Sequence, residues 1–349
     1  MMKKLTALSL ALVLLLSVCA GCGSKPASSA GSAGSEAGSD TSAPAHGEIL
    51  IKLGASSSQT EPTGIAGQKF ADLVNEKLAG KVKVEFYPGE QLGPAMEEVE
   101  NMQVDLQQGA MFSFDNYTSI AKDLNIMSMA FAFDSIEHVY AFLESDLADN
   151  AFQTLEDSGI HIVSYKMQKN PRAIFGKKPL ANVSDLQGVK FRVPNIDIFQ
   201  KNFSTMGAVP TIVSWADYTM AMMQGVVDAG ECSYESIVAL DLYKYAPYIS
   251  LVDYAFPLES IAINTTTWNK LTDTQKGWVM EAVEAGRKAC DEQNLKTESE
   301  VQDFLKEQGL SIYEADVAAF ADHVLNTYLN DPISDSWDKD LLAEIQAMA

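Results

Sequence analysis

Arginine is the rarest charged residue in this chain, and two arginines occur where they could bind an anion. The sequence holds three arginines against 22 lysines. Arg172 lies in the run Asn170–Phe175 and Arg192 in the run Gly188–Pro194, both largely apolar, where a charge is costly to bury without a partner. A guanidinium binds a carboxylate through two parallel hydrogen bonds, which a lysine ammonium cannot do. These residues therefore indicate either an anion site or a buried structural Arg–Asp pair, and both interpretations stay open.

The first 22 residues have the pattern of an export signal that ends at a lipidation site. Two lysines precede the apolar stretch Leu5–Val18, and two small residues precede Cys22. The stretch is shorter than the roughly 20 residues of a membrane-spanning helix. Ala-Gly-Cys after this run resembles the lipobox of bacterial lipoproteins, which implies cleavage before Cys22 and a lipid on its sulfur. Cys19 stands where that motif usually carries leucine, and cleavage before Cys19 is the less favoured alternative because a bulky valine would precede it.

Residues 22–47 are predicted to form a flexible tether between the lipid and a folded body. Gly, Ser and Ala dominate this segment, which has no large apolar residue and so cannot pack into a core. A tether of this kind spans roughly 25–30 Å on average. The remaining residues, about 300 in number, exceed the usual size of one hydrophobic core, so two lobes are expected.

The net charge excludes nucleic acid as a partner of the body. The formal charge of the chain is −22, and removal of residues 1–21 deletes two lysines and no acid, which makes it −24. A body of this charge repels nucleic acid and anionic membrane surfaces. Any anionic ligand must therefore be bound by local arginines. Beyond the leader, Cys232 and Cys290 are the remaining cysteines, and we expect buried free thiols.

Strand and helix patterns alternate along the body, which is typical of an α/β fold. The segments Glu48–Gly54 and Lys81–Tyr87 have strand patterns, and Thr63–Leu78 between them has helical spacing, which predicts a parallel βαβ unit. The other predicted helices cover residues 94–104, 135–148 and 195–206. The other predicted strands cover residues 106–114, 160–166, 173–175, 189–193, 226–229 and 260–264.

The segment Thr272–Gly309 is the longest predicted helix, and it begins with a capping-box pattern. At 1.5 Å per residue it would reach about 57 Å, which is longer than one small lobe. We therefore expect it to bridge two lobes. Arg287 lies on it with Glu284 and Asp291 at helix-neighbour spacing, which indicates surface ion pairs.

Several segments resemble, in order and spacing, the motifs of extracytoplasmic solute-binding proteins of tripartite (TRAP) carboxylate transporters. The most specific is Asp185–Pro194, which is similar to D-L-k-G-l-K-i-R-v-P. The resemblance covers residues 48–330, although Ala130 stands where the family usually has proline. The other similar segments are Phe86–Gly93, Gln108–Met111, Ala130–Asp134, Gly207–Pro210, Gln224–Asp228 and Thr267–Leu271.

The resemblance assigns roles to both arginines. It implies that Arg192, the arginine of the R-v-P motif, pairs with the carboxylate of the ligand and that Arg172 contributes to the same site. The family often ends a later segment as Q-E-N, whose asparagine faces the ligand, whereas here Glu231 and Cys232 end it. A thiol is a weaker hydrogen-bond partner than an amide. We therefore expect the distal groups of the ligand to be recognised differently, with Glu231 and Cys232 as candidate contacts.

Four further residues are candidate ligand contacts. Glu97, near the start of a predicted helix, could accept hydrogen bonds from ligand hydroxyls, and a solvated helix face is an equally good interpretation. Trp215, Tyr218 and Tyr254 could line a cleft, since binding pockets combine apolar walls with a few polar groups. Aromatic residues at such positions more often belong to a core.

An extracytoplasmic hydrolase is the rival from another class, and the sequence contains no G-x-S-x-G, H-E-x-x-H or P-loop motif. The binding protein of an ATP-driven importer is a second alternative with the same two-lobed plan. We predict an α/β, two-lobed fold like that of periplasmic binding proteins, with lobe 1 formed by 48–169 and 258–297 and lobe 2 by 170–257 and 298–349. We expect a non-enzymatic, lipid-anchored, extracytoplasmic protein that binds a small carboxylate without a metal or cofactor and delivers it to a TRAP permease.

Overall fold

The structure is a computed structural model that describes residues 47–330 and 339–348. The predicted signal segment 1–21, the lipidation site at Cys22 and the tether as far as residue 46 lie outside the described residues. The strands are β1 Ile49–Ala55, β2 Val82–Tyr87, β3 Gly109–Ser113, β4 Ile160–Gln168, β5 Arg172–Gly176, β6 Lys190–Val193, β7 Val209–Ile212, β8 Ala229–Ser233, β9 Tyr248–Leu251, β10 Leu258–Asn264 and β11 Ser311–Glu314. The helices are α1 Pro62–Lys77, α2 Ala95–Gln103, α3 Ile136–Leu143, α4 Asp146–Asp157, α5 Asp197–Thr205, α6 Tyr218–Gln224, α7 Tyr234–Ala239, α8 Thr265–Trp268, α9 Asp273–Glu307, α10 Val317–Asn330 and α11 Lys339–Gln346.

Two sheets organise the described chain, and each forms the centre of one lobe. The sheet of lobe 1 has the order β2-β1-β3-β10-β4, and the sheet of lobe 2 has the order β11-β9-β5-β8-β6-β7. Strand β1 is parallel to β2, with Ile49 opposite Val82, so the predicted parallel βαβ unit is confirmed. Strand β10 is antiparallel to both β3 and β4. The predicted α/β, two-lobed fold is therefore confirmed.

The chain passes between the lobes at residues 169–171, at 252–257 and along α9. Helix α9 has 35 residues and begins with the predicted capping box at Thr272. Its N-terminal half contributes Val279 to the core of lobe 1, whereas Leu305 near its other end belongs to the core of lobe 2. The prediction of a bridging helix is therefore confirmed. Arg287 pairs on its surface with Glu284 at 2.8 Å and with Asp291 at 2.5 Å, as predicted.

Two of the differences between the predicted and the observed element boundaries have a clear local cause. The helix expected over 135–148 is two helices, because α3 ends at Leu143 and α4 begins after Ser145, whose hydroxyl donates to the carbonyl of Phe142. The strand expected over 226–229 begins only at Ala229. The preceding residues complete the end of α6, where Gly225 adopts a left-handed conformation and the backbone N–H of Val226 donates to the carbonyl of Ala221.

The C-terminal segment contacts both lobes. Helix α10 packs against α5 of lobe 2. The carbonyl oxygen of Ile345, at the end of α11, lies 2.7 Å from Nε2 of His138 in lobe 1. Cys232 and Cys290 are free and buried, as predicted. Within the described ranges, no helix combines the length and the apolar character needed to cross a membrane.

Candidate functional site

A cavity of about 270 Å³ lies between the two lobes. This volume is slightly below the range of about 300–1,000 Å³ that is usual for small-molecule sites. The cavity is lined by polar and charged side chains from both sheets and their loops. Lobe 1 and the crossing segment contribute Ser57, Glu90, Asp115, Lys169 and Glu259, and lobe 2 contributes Arg172, Arg192, Trp215, Cys232 and Ser236.

Arg192 is a buried cation that forms no ion pair with the residues that the structure describes. It lies on β6, its side chain extends under the aromatic rings of Tyr218 and Trp215, and it is 3% exposed. Its Nε donates to the carbonyl of Val213 at 3.0 Å. Among the residues that the structure describes, no carboxylate forms an ion pair with Arg192. Burial lowers the pKa of this guanidinium, and the more distant charge of Glu231 offsets the effect only in part. A buried guanidinium without an ion pair can bind an anion.

Arg172 differs from Arg192 because it already holds a carboxylate. It begins β5, and its Nη2 donates to Oε1 of Glu231 on the neighbouring strand β8 at 2.9 Å, while its Nε donates to the other oxygen. The hydroxyl of Tyr254 donates to Glu231 at 2.8 Å. Burial opposes both charges, yet the pair keeps the pKa of Glu231 below and that of Arg172 above the ordinary value. Arg172 thus forms the kind of buried pair that the sequence left open, with glutamate in the place of aspartate.

A second buried ion pair lies beside Ser57 in the cavity wall. Nζ of Lys169 lies 3.1 Å from Oε1 of Glu259 and 3.2 Å from the hydroxyl of Ser57. Glu259 is 2% exposed, and its other oxygen, Oε2, has no hydrogen-bond partner among the described residues. Burial raises the pKa of Glu259, against the charge of Lys169. This wall of the cavity therefore contains an ion pair whose second carboxylate oxygen is buried and unpartnered.

The lobes are joined by hydrogen bonds near the cavity and within the core. The hydroxyl of Ser236 in lobe 2 donates to Oε1 of Glu61 in lobe 1 at 2.5 Å. In the core, Nδ2 of Asn202 donates to the carbonyl of Ser128 at 2.7 Å, and its Oδ1 accepts from the backbone N–H of Ala130 at 3.2 Å. Asn202 therefore binds the segment that departs from the family motif at Ala130.

The structure brings some of the predicted contact residues into the cavity wall and places others behind or outside it. Four of them line the cavity: Arg172, Arg192, Trp215 and Cys232. Three are buried and support the two arginines from behind: Tyr218, Glu231 and Tyr254. Glu97 is exposed on α2 and is not part of the wall, whereas its neighbour Glu98 is fully buried.

The acids and the lysine of the cavity could not be predicted from the sequence motifs. Glu90 lies within the similar segment Phe86–Gly93, in which Gly89 indicates a turn. In the structure Gly89 and Glu90 both have positive φ, and Glu90 lines the cavity. Asp115 follows the end of β3, and ligand sites in open α/β sheets lie at the carboxyl ends of strands. Lys169 and Glu259 carried no local signal, because their pairing joins positions 90 residues apart.

Comparison with known proteins gives matches over most of the chain. The family model for bacterial extracellular solute-binding proteins, family 7, matches residues 53–330, which include every residue of the cavity. The 2,3-diketo-L-gulonate-binding periplasmic protein YiaO of Escherichia coli is 25% identical over 281 residues, 79% of this chain and 84% of that protein. A solute-binding protein of Roseobacter denitrificans is 25% identical over 278 residues, 78% of this chain and 84% of that protein.

A solved structure is similar over the same region. It is a TRAP periplasmic solute binding protein of Roseobacter denitrificans with bound 3-deoxy-D-manno-oct-2-ulosonic acid, and it has a TM-score of 0.79 to this chain at 25% identity. The similarity covers 86% of this chain and 100% of that one. The described body is thus matched in both sequence and fold.

Proposed function

Since this chain belongs to the bacterial extracellular solute-binding proteins of family 7, we propose that its cavity binds a small organic or sugar acid by the carboxylate of the ligand. Arg192 carries this proposal, because it is a buried cation in the cavity wall with no carboxylate partner among the described residues. Its Nε is used by the carbonyl of Val213, which leaves the terminal nitrogens for a ligand. Two such donors in one plane match the two oxygens of a carboxylate.

The names of the relatives support the same class of ligand. The Escherichia coli relative is named for binding 2,3-diketo-L-gulonate, and the Roseobacter structure holds 3-deoxy-D-manno-oct-2-ulosonic acid. Both molecules are sugar acids with a carboxylate. We expect the ligand to be released unchanged, because the role of such a protein is to deliver it to a TRAP permease. Recovery of a chemically altered ligand after incubation would contradict this role.

We also propose that a lipid on Cys22 anchors the protein outside the cytoplasmic membrane. The pattern of the first 22 residues supports this, and the tether would place the body near the permease. Substitution Cys22→Ala should move the protein from the membrane fraction to the soluble fraction. Retention of this variant in the membrane fraction would contradict the anchor.

Calorimetric titration of Arg192 variants tests the central proposal. Arg192→Ala should weaken binding of the acid by roughly 30- to several-thousand-fold, since loss of one partner of a buried charge pair costs ~2–5 kcal/mol. Arg192→Lys keeps the charge but loses the planar fork, so its effect should lie toward the lower part of that range. Arg287→Ala, at the surface arginine of α9, is the matched control and should bind normally. Near-native affinity of a folded Arg192→Ala variant would overturn the proposal.

A further inference from the structure

Most of the cations in the cavity wall are already paired with acids of the protein. Three cations line the wall, but Lys169 already holds Glu259 and Arg172 already holds Glu231. Arg192 alone among these three lacks an ion pair within the described residues. The described wall of the cavity therefore offers one unpaired positive charge, which is enough for one carboxylate.

Glu90 lies in the same cavity wall as Arg192, close enough to feel its charge. Its backbone has φ 58°, a conformation that suits glycine and is strained for glutamate. The turn is fixed by a hydrogen bond from its N–H to the carbonyl of Ala55 at 2.9 Å and by one from the N–H of Gly93 to its own carbonyl at 3.1 Å. The side chain lines the cavity, where burial raises its pKa more than the charge of Arg192 lowers it. An anionic group at this strained position restricts what can lie beside Arg192.

Asp115 adds a second acid to the wall. It lies near Arg172 and Lys169, and among the described residues it has no ion pair of its own. Glu259 also lines the cavity, but its Oε1 is held by Lys169 and its Oε2 is buried. An acid of the wall that loses water without gaining a donor is costly, and a ligand hydroxyl can supply that donor. Glu90 and Asp115 both line the cavity, so a ligand needs more than one donor to satisfy them.

We propose that the ligand is a polyhydroxylated monocarboxylic acid, and that Glu90 and Asp115 accept hydrogen bonds from its hydroxyls and exclude dicarboxylic acids. This inference rests on the proposed function, in which Arg192 binds the carboxylate of the ligand. A second carboxylate on the ligand would find no unpaired cation among the described residues of the wall and would lie against these acids, so like-charge repulsion disfavours it. A single ammonium group, as in an amino acid, would satisfy one acid and leave the other without a donor.

Calorimetry against two sets of probes tests this inference. The first set contains gluconate, galactonate, glucuronate and galacturonate, and the second contains succinate, malate and glutarate. With the wild-type protein, we expect the best acid of the first set to bind at least about 100-fold more tightly than any dicarboxylate, which corresponds to ~2.7 kcal/mol. Serine and alanine serve as ammonium-bearing monocarboxylates and should bind no more tightly than the dicarboxylates.

Substitution Glu90→Gln tests whether Glu90 is the residue that excludes dicarboxylates. It removes the charge and keeps an acceptor, so succinate or malate should bind at least about tenfold more tightly than to the wild type, while the sugar acid loses only a few-fold. Glu97→Gln, at the exposed acid of the adjacent helix, is the matched control and should leave the ratio unchanged. Glu90→Gly fits the positive φ, so it should fold at least as stably as the wild type and show the same loss of selectivity.

The possible outcomes separate this inference from the proposed function. If dicarboxylates or amino acids bind as tightly as the sugar acids, and Arg192→Ala abolishes that binding, the inference is overturned while the proposed function stands. If the ratio is the same in Glu90→Gln and Glu90→Gly as in the wild type, the assigned role of Glu90 is overturned. If no acid of either set binds, the result counts against the proposed function itself.

Discussion

Arg172 and Arg192 have similar local sequences, but their partners differ, and so do the expected effects of removing them. Arg172→Ala leaves Glu231 fully buried without its cation, which should lower the free energy of unfolding by about 3–5 kcal/mol. Arg192→Ala removes a buried charge that has no ion-pair partner within the described residues, so stability should fall little. Urea unfolding of the two variants measures the difference.

A double variant controls this prediction. Arg172→Met combined with Glu231→Leu replaces the buried pair by apolar groups and should recover most of the lost stability. If Arg192→Ala proves the less stable of the two single variants, then Arg192 and not Arg172 is the structural arginine. The sequence pattern could not make this distinction, because Arg172 and Glu231 are 59 residues apart and meet only through the pairing of β5 with β8.

The buried carboxyl group of Glu98 leads to a prediction about how the free energy of unfolding depends on pH. Burial raises its pKa to about 7, against the hydrogen bond that Nε2 of Gln107 donates to its Oε2 at 2.5 Å. The folded chain therefore binds more protons at this site than the unfolded chain does between pH 4.5, the ordinary value, and pH 7. Because the folded state is the more protonated one, the contribution of Glu98 to stability falls as pH rises through this window.

Melting temperatures across this pH range test the prediction. Glu98→Gln cannot ionise, so its melting temperature should fall less than that of the wild type between pH 4.5 and pH 7. Glu97→Gln, which changes the exposed neighbour on the same helix, should follow the wild type. Parallel curves for Glu98→Gln and the wild type would show that Glu98 does not titrate in this window.

At the scale of elements, local patterns predicted what depends on neighbours in sequence. The βαβ unit and α9 were predicted because helical spacing, strand alternation and the capping box at Thr272 are local signals. The insertion of β10 between β3 and β4 was not predictable, since β10 is about 150 residues from β3 and about 100 from β4, and such pairing leaves no periodic trace. The same reason explains the site, where motif similarity located Arg192 but not the acids around it.

Two glycines of α9 provide a test of how this helix packs on lobe 1. A Cβ at Gly286 would lie 2.9 Å from the carbonyl oxygen of Ala66 on α1, whereas a Cβ at Gly277 would meet no atom within 4 Å. Gly277→Ala should therefore stabilise the protein by about 0.5–1 kcal/mol through helix propensity alone. Gly286→Ala has the same propensity gain but must separate the two helices, so it should be destabilising by about 1–3 kcal/mol. Urea unfolding that gives equal shifts for both variants would contradict close packing at Gly286.

The whole molecule combines a strongly acidic body with a cavity between two lobes, in whose described wall Arg192 is the cation without an ion pair. A net charge of −22 repels anionic ligands at a distance, so the proposed capture would depend on the local field of Arg192 and on contacts from both lobes. A ligand that touches both lobes stabilises the arrangement in which they are close together. The hydrogen bond from Ser236 to Glu61 at 2.5 Å acts in the same direction. Ligand and hydrogen bond should therefore both favour the closed arrangement.

Small-angle scattering of the wild type and of Ser236→Ala tests this coupling. The radius of gyration of the wild type should decrease when the ligand is added, because the ligand contacts both lobes only when they close. Ser236→Ala loses a hydrogen bond to a charged group, worth about 1.5–3 kcal/mol, so its ligand-free form should be more open and its apparent affinity lower by about tenfold or more. At saturating ligand its radius of gyration should equal that of the wild type, which separates a shifted equilibrium from a damaged fold.

Ser204→Ala, at an exposed serine of α5, is the control and should behave as the wild type. Identical radii with and without ligand, in both proteins, would show that the lobes do not move.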